Sequence, residues 1–265
     1  MPARSAQTLV WTTPGAMNTR FSCVGCGKCC TDHHVPLTLS EARQWAADGG
    51  ALIVLTEGFL DNGYGVDQAQ WQHATRRSIL VNSGAARAYI AITFAAYNVG
   101  PCRNLDAQQL CRIYERRPLV CRIYPMEINP HIPLRPHTKD CPPHAWEQGP
   151  ELIVGNTLAD PQLLALIEQS RQADRDDIAA KRTVCQLLGI NTTALKGNGF
   201  VAYLPEMSAF SAALEAVHGA DPAEQAAAEW TFHVAGQQVN DTLQQAGARL
   251  AAPETPPYLF IPLAT

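Results

Sequence analysis

The chain has 265 residues, of which 46% are hydrophobic and 17% charged, with a formal net charge of −4. Such a length suits one large domain or two modest ones, with apolar material for a core that does not rest on bound metal alone. The acidic balance argues against a nucleic-acid surface, although arginines do gather between Arg103 and Arg122. The stretch around 85–99 is too short to span a bilayer and is interrupted by Arg87, Thr93 and Asn98. Leu9-Val10-Trp11 does not amount to the apolar run of a secretory leader. The expected setting is therefore cytoplasmic, where thiols stay reduced.

In chain order, residues 1–20 read as a loosely ordered arm, followed by a cysteine loop over 21–36 with glycines for tight turning. Thr38-Leu-Ser-Glu41 is a capping-box pattern, and the helix it opens should end near Gly49-Gly50. Residues 51–56 are apolar and partly β-branched, which fits a short buried strand or a helix end. Residues 78–81 and 87–97 read as strands, the second closed by Gly100-Pro101. Prolines such as Pro118, Pro125, Pro142 and Pro143 keep 101–150 from forming long regular elements. Asp160-Pro161 has the form of an N-cap and first helical residue, for a helix running towards Gly189. Asp221-Pro222 repeats that form, for a helix through about Ala252. The expected class is α+β: a loop-rich cysteine-cluster metal-binding domain over 1–150 and a helical C-terminal region over 151–265.

The chemistry lies in the cysteines. Four fall within eight residues, as Cys23-Val-Gly-Cys26-Gly-Lys-Cys29-Cys30, and Cys102, Cys111, Cys121 and Cys141 follow at wider intervals. Thiolates are soft, strongly donating ligands, so the set points to zinc or an iron–sulfur cluster, and the odd total of nine suits a metal protein better than a disulfide scaffold. The first three cysteines match the start of a ferredoxin loop. Cys30, directly after Cys29, breaks that spacing. Neighbouring side chains diverge, so one of the pair joins Cys23 and Cys26, while the other serves a second centre or approaches the first from another side. Two four-sulfur sites, or one cluster with further structural thiols, both remain open.

Pro101-Cys102, Cys111-Arg-Ile-Tyr114, Arg117-Pro-Leu-Val-Cys121-Arg122 and Cys141, together with the CxxCxxCC cluster, resemble the CxxCxxCC family of zinc- or iron-chelating proteins, the YkgJ-like cysteine cluster proteins. The resemblance covers roughly 21–145 and implies a metal-binding domain without implying one reaction. A minority of that family resembles flagellin lysine N-methylases with an iron–sulfur centre. On that analogy the protein would be a metal-dependent protein-modifying enzyme, although no glycine-rich nucleotide fingerprint follows a strand here. The cofactor expected is a [4Fe–4S] cluster or zinc, and the partner a protein substrate or binding partner, with neither nucleic acid nor membrane. A structural zinc-binding interaction module and an iron or zinc carrier are the alternatives.

The remaining chemistry-bearing residues are weaker candidates. His33, His34, His131, His137 and His144 are better read as loop histidines bonded to backbone or solvent than as ligands. Arg103, Arg112, Arg117 and Arg122 either offset the charge of a thiolate-bound centre or form a solvated basic face. Tyr114 and Tyr124 read as packing residues, and Cys185 as a buried structural thiol in a helix. Gly27-Lys28 lacks the rest of a phosphate loop, and Cys26-Gly27 excludes covalent haem attachment.

Overall fold

The computed structural model describes residues 18–63, 66–217, 229–252 and 257–263. In chain order the elements are β1 (Thr19–Arg20), β2 (Val35–Leu37), α1 (Leu39–Ala47), β3 (Leu52–Leu60), α2 (Gln68–Thr75), β4 (Ser78–Ser83), β5 (Ala86–Ala96), α3 (Leu119–Ile123), β6 (Glu151–Val154), β7 (Thr157–Leu158), α4 (Pro161–Asp176), α5 (Ile178–Leu187), β8 (Thr192–Leu195), β9 (Gly199–Tyr203), α6 (Met207–Ala216), β10 (Thr231–His233), α7 (Gln237–Gln245) and β11 (Leu259–Pro262). This is an α+β chain with helices along its C-terminal part. Among the described residues no helix is long and apolar enough to cross a membrane.

The chain divides into two compact units. One takes the residues up to His33 together with Asn98–Arg171, and the other takes His34–Tyr97 together with the residues from Gln172 on. These boundaries differ from a division at 150/151, and long-range strand pairing is the reason. β3 pairs antiparallel with β5 over nine residues, parallel with β8 at Glu57 and Gly58, and antiparallel with β9 over Val54–Thr56. The hairpin region before residue 98 thus belongs to the same sheet as strands near residue 200.

That sheet is the heart of the second unit. Its path runs β10-β8-β3-β5-β2, with β4 beside β5 and β11 beside β9. β3 and β5 are buried almost throughout, as strands covered on both faces must be. Gly58 is required where three elements meet. A Cβ there would stand 2.8 Å from Ile90 Cδ1 and 2.9 Å from Thr193 Cγ2. The capping box expected at α1 is present in both directions. Glu41 N–H donates to Thr38 Oγ1, and Thr38 N–H donates to the Glu41 carboxylate. Such a cap is worth about 1 kcal/mol.

Where one long helix is expected after Asp160-Pro161, two form, α4 and α5, with Asp177 between them. Its carboxylate accepts from Leu39 N–H at the start of α1 (2.7 Å). The helix expected from Asp221 is corrected as well. Residues 221–228 lie outside the described residues. From 229 the chain first forms β10, which buries Phe232 and pairs parallel with β8, and only then α7. The arm at 1–17 likewise lies outside the described residues.

In the first unit, β1, β6 and β7 form a small sheet. Ile123, Met126, Leu134, Leu152, Ile153, Leu158 and Ile167 make its core, with Phe21 and Trp146 packed against it. Between Cys102 and Gly149 regular structure is limited to α3 and single 3-10 turns, as the prolines dictate.

Candidate metal centre

All eight clustered cysteines fall in the first unit, none is in a disulfide, and only Cys23 is exposed, the other seven being partly buried. Two segments distant in sequence are zipped together to form the site. Cys102 N–H donates to Cys30 O (2.6 Å), Thr31 bridges Pro101, and Asp32 N–H donates to Gly100 O (2.8 Å). The Asp32 carboxylate accepts from Gly100 N–H (2.5 Å). At the other end Ser22 N–H donates to Ala145 O (2.9 Å), and Phe21 packs against the rings of Trp146 and Tyr124.

The CxxCxxCC loop can turn this tightly because Gly25 and Gly27 adopt φ of +64° and +70°, a region that side chains resist. They also lie under the loop that carries Cys111. A Cβ on Gly25 would touch Leu110 at 3.0 Å, and one on Gly27 would collide with the Gln109 side chain. That second loop is shaped by Asp106, whose carboxylate accepts from Gln108 and Leu110 N–H (2.9 and 2.8 Å), and closed by pairing of Leu105 with Cys111.

The sulfurs stand in one another's electrostatic field. Cys29 Sγ lies 3.8 Å from Cys30 Sγ. That contact, with burial added, pushes the Cys29 thiol far up; for Cys30 the same contact outweighs burial and draws the thiol below its ordinary range. Burial pushes Cys121 up to about 12, with Cys102, Cys29 and Cys111 adding to it and Arg117 opposing. Burial raises Cys102 too, while Arg103 works the other way. Cys141 is raised by burial against a hydrogen bond with the Tyr124 hydroxyl (3.3 Å), and Cys29, Cys26 and Cys23 add to the rise.

Other expectations resolve individually. His33 is bonded to backbone, its Nδ1–H donating to Thr31 O (2.6 Å), with Asp140 3.4 Å from Nε2. His34 falls in the second unit, stacked on Tyr97, and His131, His137 and His144 are exposed. Arg117 lies 3.7 Å over the Tyr114 ring and donates to the Tyr114 carbonyl (2.9 Å), so Tyr114 is a platform for that cation. Arg112 and Arg122 are exposed. Tyr124 does more than pack, because its hydroxyl meets the Cys141 sulfur. Cys185 is buried in α5 in the second unit, whereas the eight clustered cysteines belong to the first.

Among the described residues, no three His, Cys, Asp or Glu side chains already stand in an arrangement that would hold a metal ion. The donor set nevertheless fits a thiophilic centre by its chemistry. Eight unbridged thiols share one unit, and burial and mutual charge oppose ionisation of several of them. A bound cation reverses that balance and leaves the thiol deprotonated.

Comparison with known families agrees with this reading. Residues 22–142 match the CxxCxxCC model, described as a putative zinc- or iron-chelating domain. No curated protein and no solved structure matches the chain. The limits of the match fall one residue outside Cys23 and Cys141, so the segment that contains all eight clustered cysteines is the one that matches the CxxCxxCC family.

Proposed function

We propose that this domain holds an iron–sulfur centre through thiolates drawn from Cys23, Cys26, Cys29, Cys30, Cys102, Cys111, Cys121 and Cys141. The observation that carries the proposal is the convergence of two distant segments, through the Cys30–Cys102 and Ser22–Ala145 backbone bonds, on a set of unbridged thiols. Iron–sulfur is preferred to zinc because Arg103 and Arg117 act on Cys102 and Cys121, and a net-negative cluster gains more from such cations than a structural zinc does. The ferredoxin-like spacing of Cys23, Cys26 and Cys29 supports the same choice.

Such a centre would supply one-electron redox chemistry. The protein's own contribution is to bury most of the sulfurs in part, to place Arg103 and Arg117 against their charge, and to bring the Tyr124 hydroxyl to Cys141. The test is anaerobic purification of the full chain, followed by iron, sulfide and zinc analysis and an absorption spectrum. Iron with matching sulfide is the expected result. Stoichiometric zinc without iron would replace this proposal with a structural zinc module.

A further inference from the structure

Two backbone closures organise the thiols. The first, from Ser22 N–H to Ala145 O, seats Gly149 against Phe21 and Ser22 and brings the entry to Cys23 beside the residues that follow Cys141. His33, three residues past Cys30, meets Asp140 beside Cys141, so the stretch after Cys30 also touches the Cys141 side. The second joins Cys102 N–H to Cys30 O, turns the chain at Leu105, whose N–H returns to Cys102 O (2.9 Å), and pairs Leu105 with Cys111. Electrostatic neighbours divide the same way. Cys141 lies in the field of Cys29, Cys26 and Cys23, whereas Cys30 lies in that of Cys121, Cys102 and Cys111. Cys29 sits at the seam, since it acts on Cys121 as well.

We propose that the eight thiols form two four-cysteine sets that adjoin at the Cys29–Cys30 peptide bond: Cys23, Cys26, Cys29 and Cys141 take one metal centre, and Cys30, Cys102, Cys111 and Cys121 take a second. The proposal rests on the metal-binding reading above and assigns its ligands. A zinc ion or a cubane cluster takes four thiolates, so one centre would leave four others crowded together without a cation. Successive side chains diverge, which lets Cys29 and Cys30 serve different centres while the backbone between them is shared. The surroundings also differ. The second set has Arg103 and Arg117 beside it. The first has the Asp140 carboxylate acting on Cys29 and the Tyr124 hydroxyl on Cys141.

The test loads the full chain, stripped of metal and reduced, with Co(II) under anaerobic conditions, and follows thiolate-to-metal absorption to its endpoint. The wild type should take two equivalents. Cys26→Ser with Cys141→Ser should halve the endpoint, as should Cys111→Ser with Cys121→Ser. Cys26→Ser combined with Cys111→Ser should weaken both steps. Cys29→Ser should weaken the step that Cys141→Ser weakens, and Cys30→Ser the other. Iron content of anaerobically purified variants should halve in parallel. A wild-type endpoint of one equivalent, or loss of all metal from either same-set double variant, overturns the division while leaving metal binding intact. Should a variant fail to fold, as circular dichroism would show, the wild-type endpoint decides alone. A wild type that binds neither cobalt nor iron overturns the metal-binding reading itself.

Discussion

Asp174 in the second unit offers a perturbation whose size follows from the structure. Its carboxylate accepts from Arg77 Nε and from Lys181 Nζ (2.8 Å), with side-chain exposures of 16% for Asp174, 20% for Arg77 and 4% for Lys181. Burial alone would raise the Asp174 pKa. The two cations outweigh it and hold the carboxyl at about 2 against an ordinary 3.8. A shift of that size corresponds to about 2–3 kcal/mol of preference for the charged form in the folded state. Asp174→Asn removes the charge and leaves Arg77 and Lys181 buried without it, a loss of about 3–5 kcal/mol for a broken buried pair. Urea unfolding of both proteins at pH 7 should show this as a lower midpoint at an unchanged slope. The sign with pH is fixed because the folded pKa lies below the unfolded one. The wild-type advantage is fully present above pH ~4 and is lost as pH falls through ~2, so the gap between the proteins closes over that window. A loss under about 1 kcal/mol, or a gap that stays constant down to pH 2, would refute the reasoning.

Three further substitutions bear on the centre. Gly27→Ala places a side chain at φ +70° and against Gln109. It should cost about 1 kcal/mol or more and lower metal content, and Gln109→Ala in the same background should restore part of the loss by removing the collision but not the backbone strain. No rescue in metal analysis would mean the two loops do not pack as described. Tyr124→Phe deletes the hydroxyl that meets Cys141. Metal should be retained, with the reduction potential moving negative in a redox titration, and an unchanged potential would count against Cys141 as a ligand. Cys185→Ser buries a hydroxyl at a position 1% exposed. It should destabilise by about 1–3 kcal/mol while metal content stays the same, and a fall in metal would place a ninth thiol in the site.

The features legible in the sequence are those with local causes. The Thr38–Glu41 capping box opens α1 as expected, because both hydrogen bonds lie within four residues. Strands β4 and β5 follow from their apolar, β-branched runs, and the prolines of 101–150 forecast a segment of short turns. Pairings across the chain were not legible. β3 lies between β5 and the β8–β9 strands, and nothing in residues 52–60 indicates partners near residue 200. β10 formed where a helix pattern continued because Trp230 and Phe232 are buried against the sheet, a tertiary effect that outweighs propensity. The cysteines identify themselves by type and spacing. Gln109, Asp140 and Tyr124 do not, since each reaches the site only after the chain has brought 101–145 back onto 21–36. The Tyr124 position beside Cys121 and Pro125 was the available signal, and Tyr124 meets Cys141 rather than the cysteine near it in sequence.

Residues 22–142 are proposed to hold a thiolate-bound iron–sulfur centre. The most direct measurement is iron, acid-labile sulfide and zinc per chain in protein purified without oxygen, with the absorption spectrum recorded before and after reduction. The expected result is brown protein containing iron and sulfide in equal amounts, with a broad band near ~400 nm that bleaches on reduction. Colourless protein with stoichiometric zinc, or with no metal at all, would contradict it.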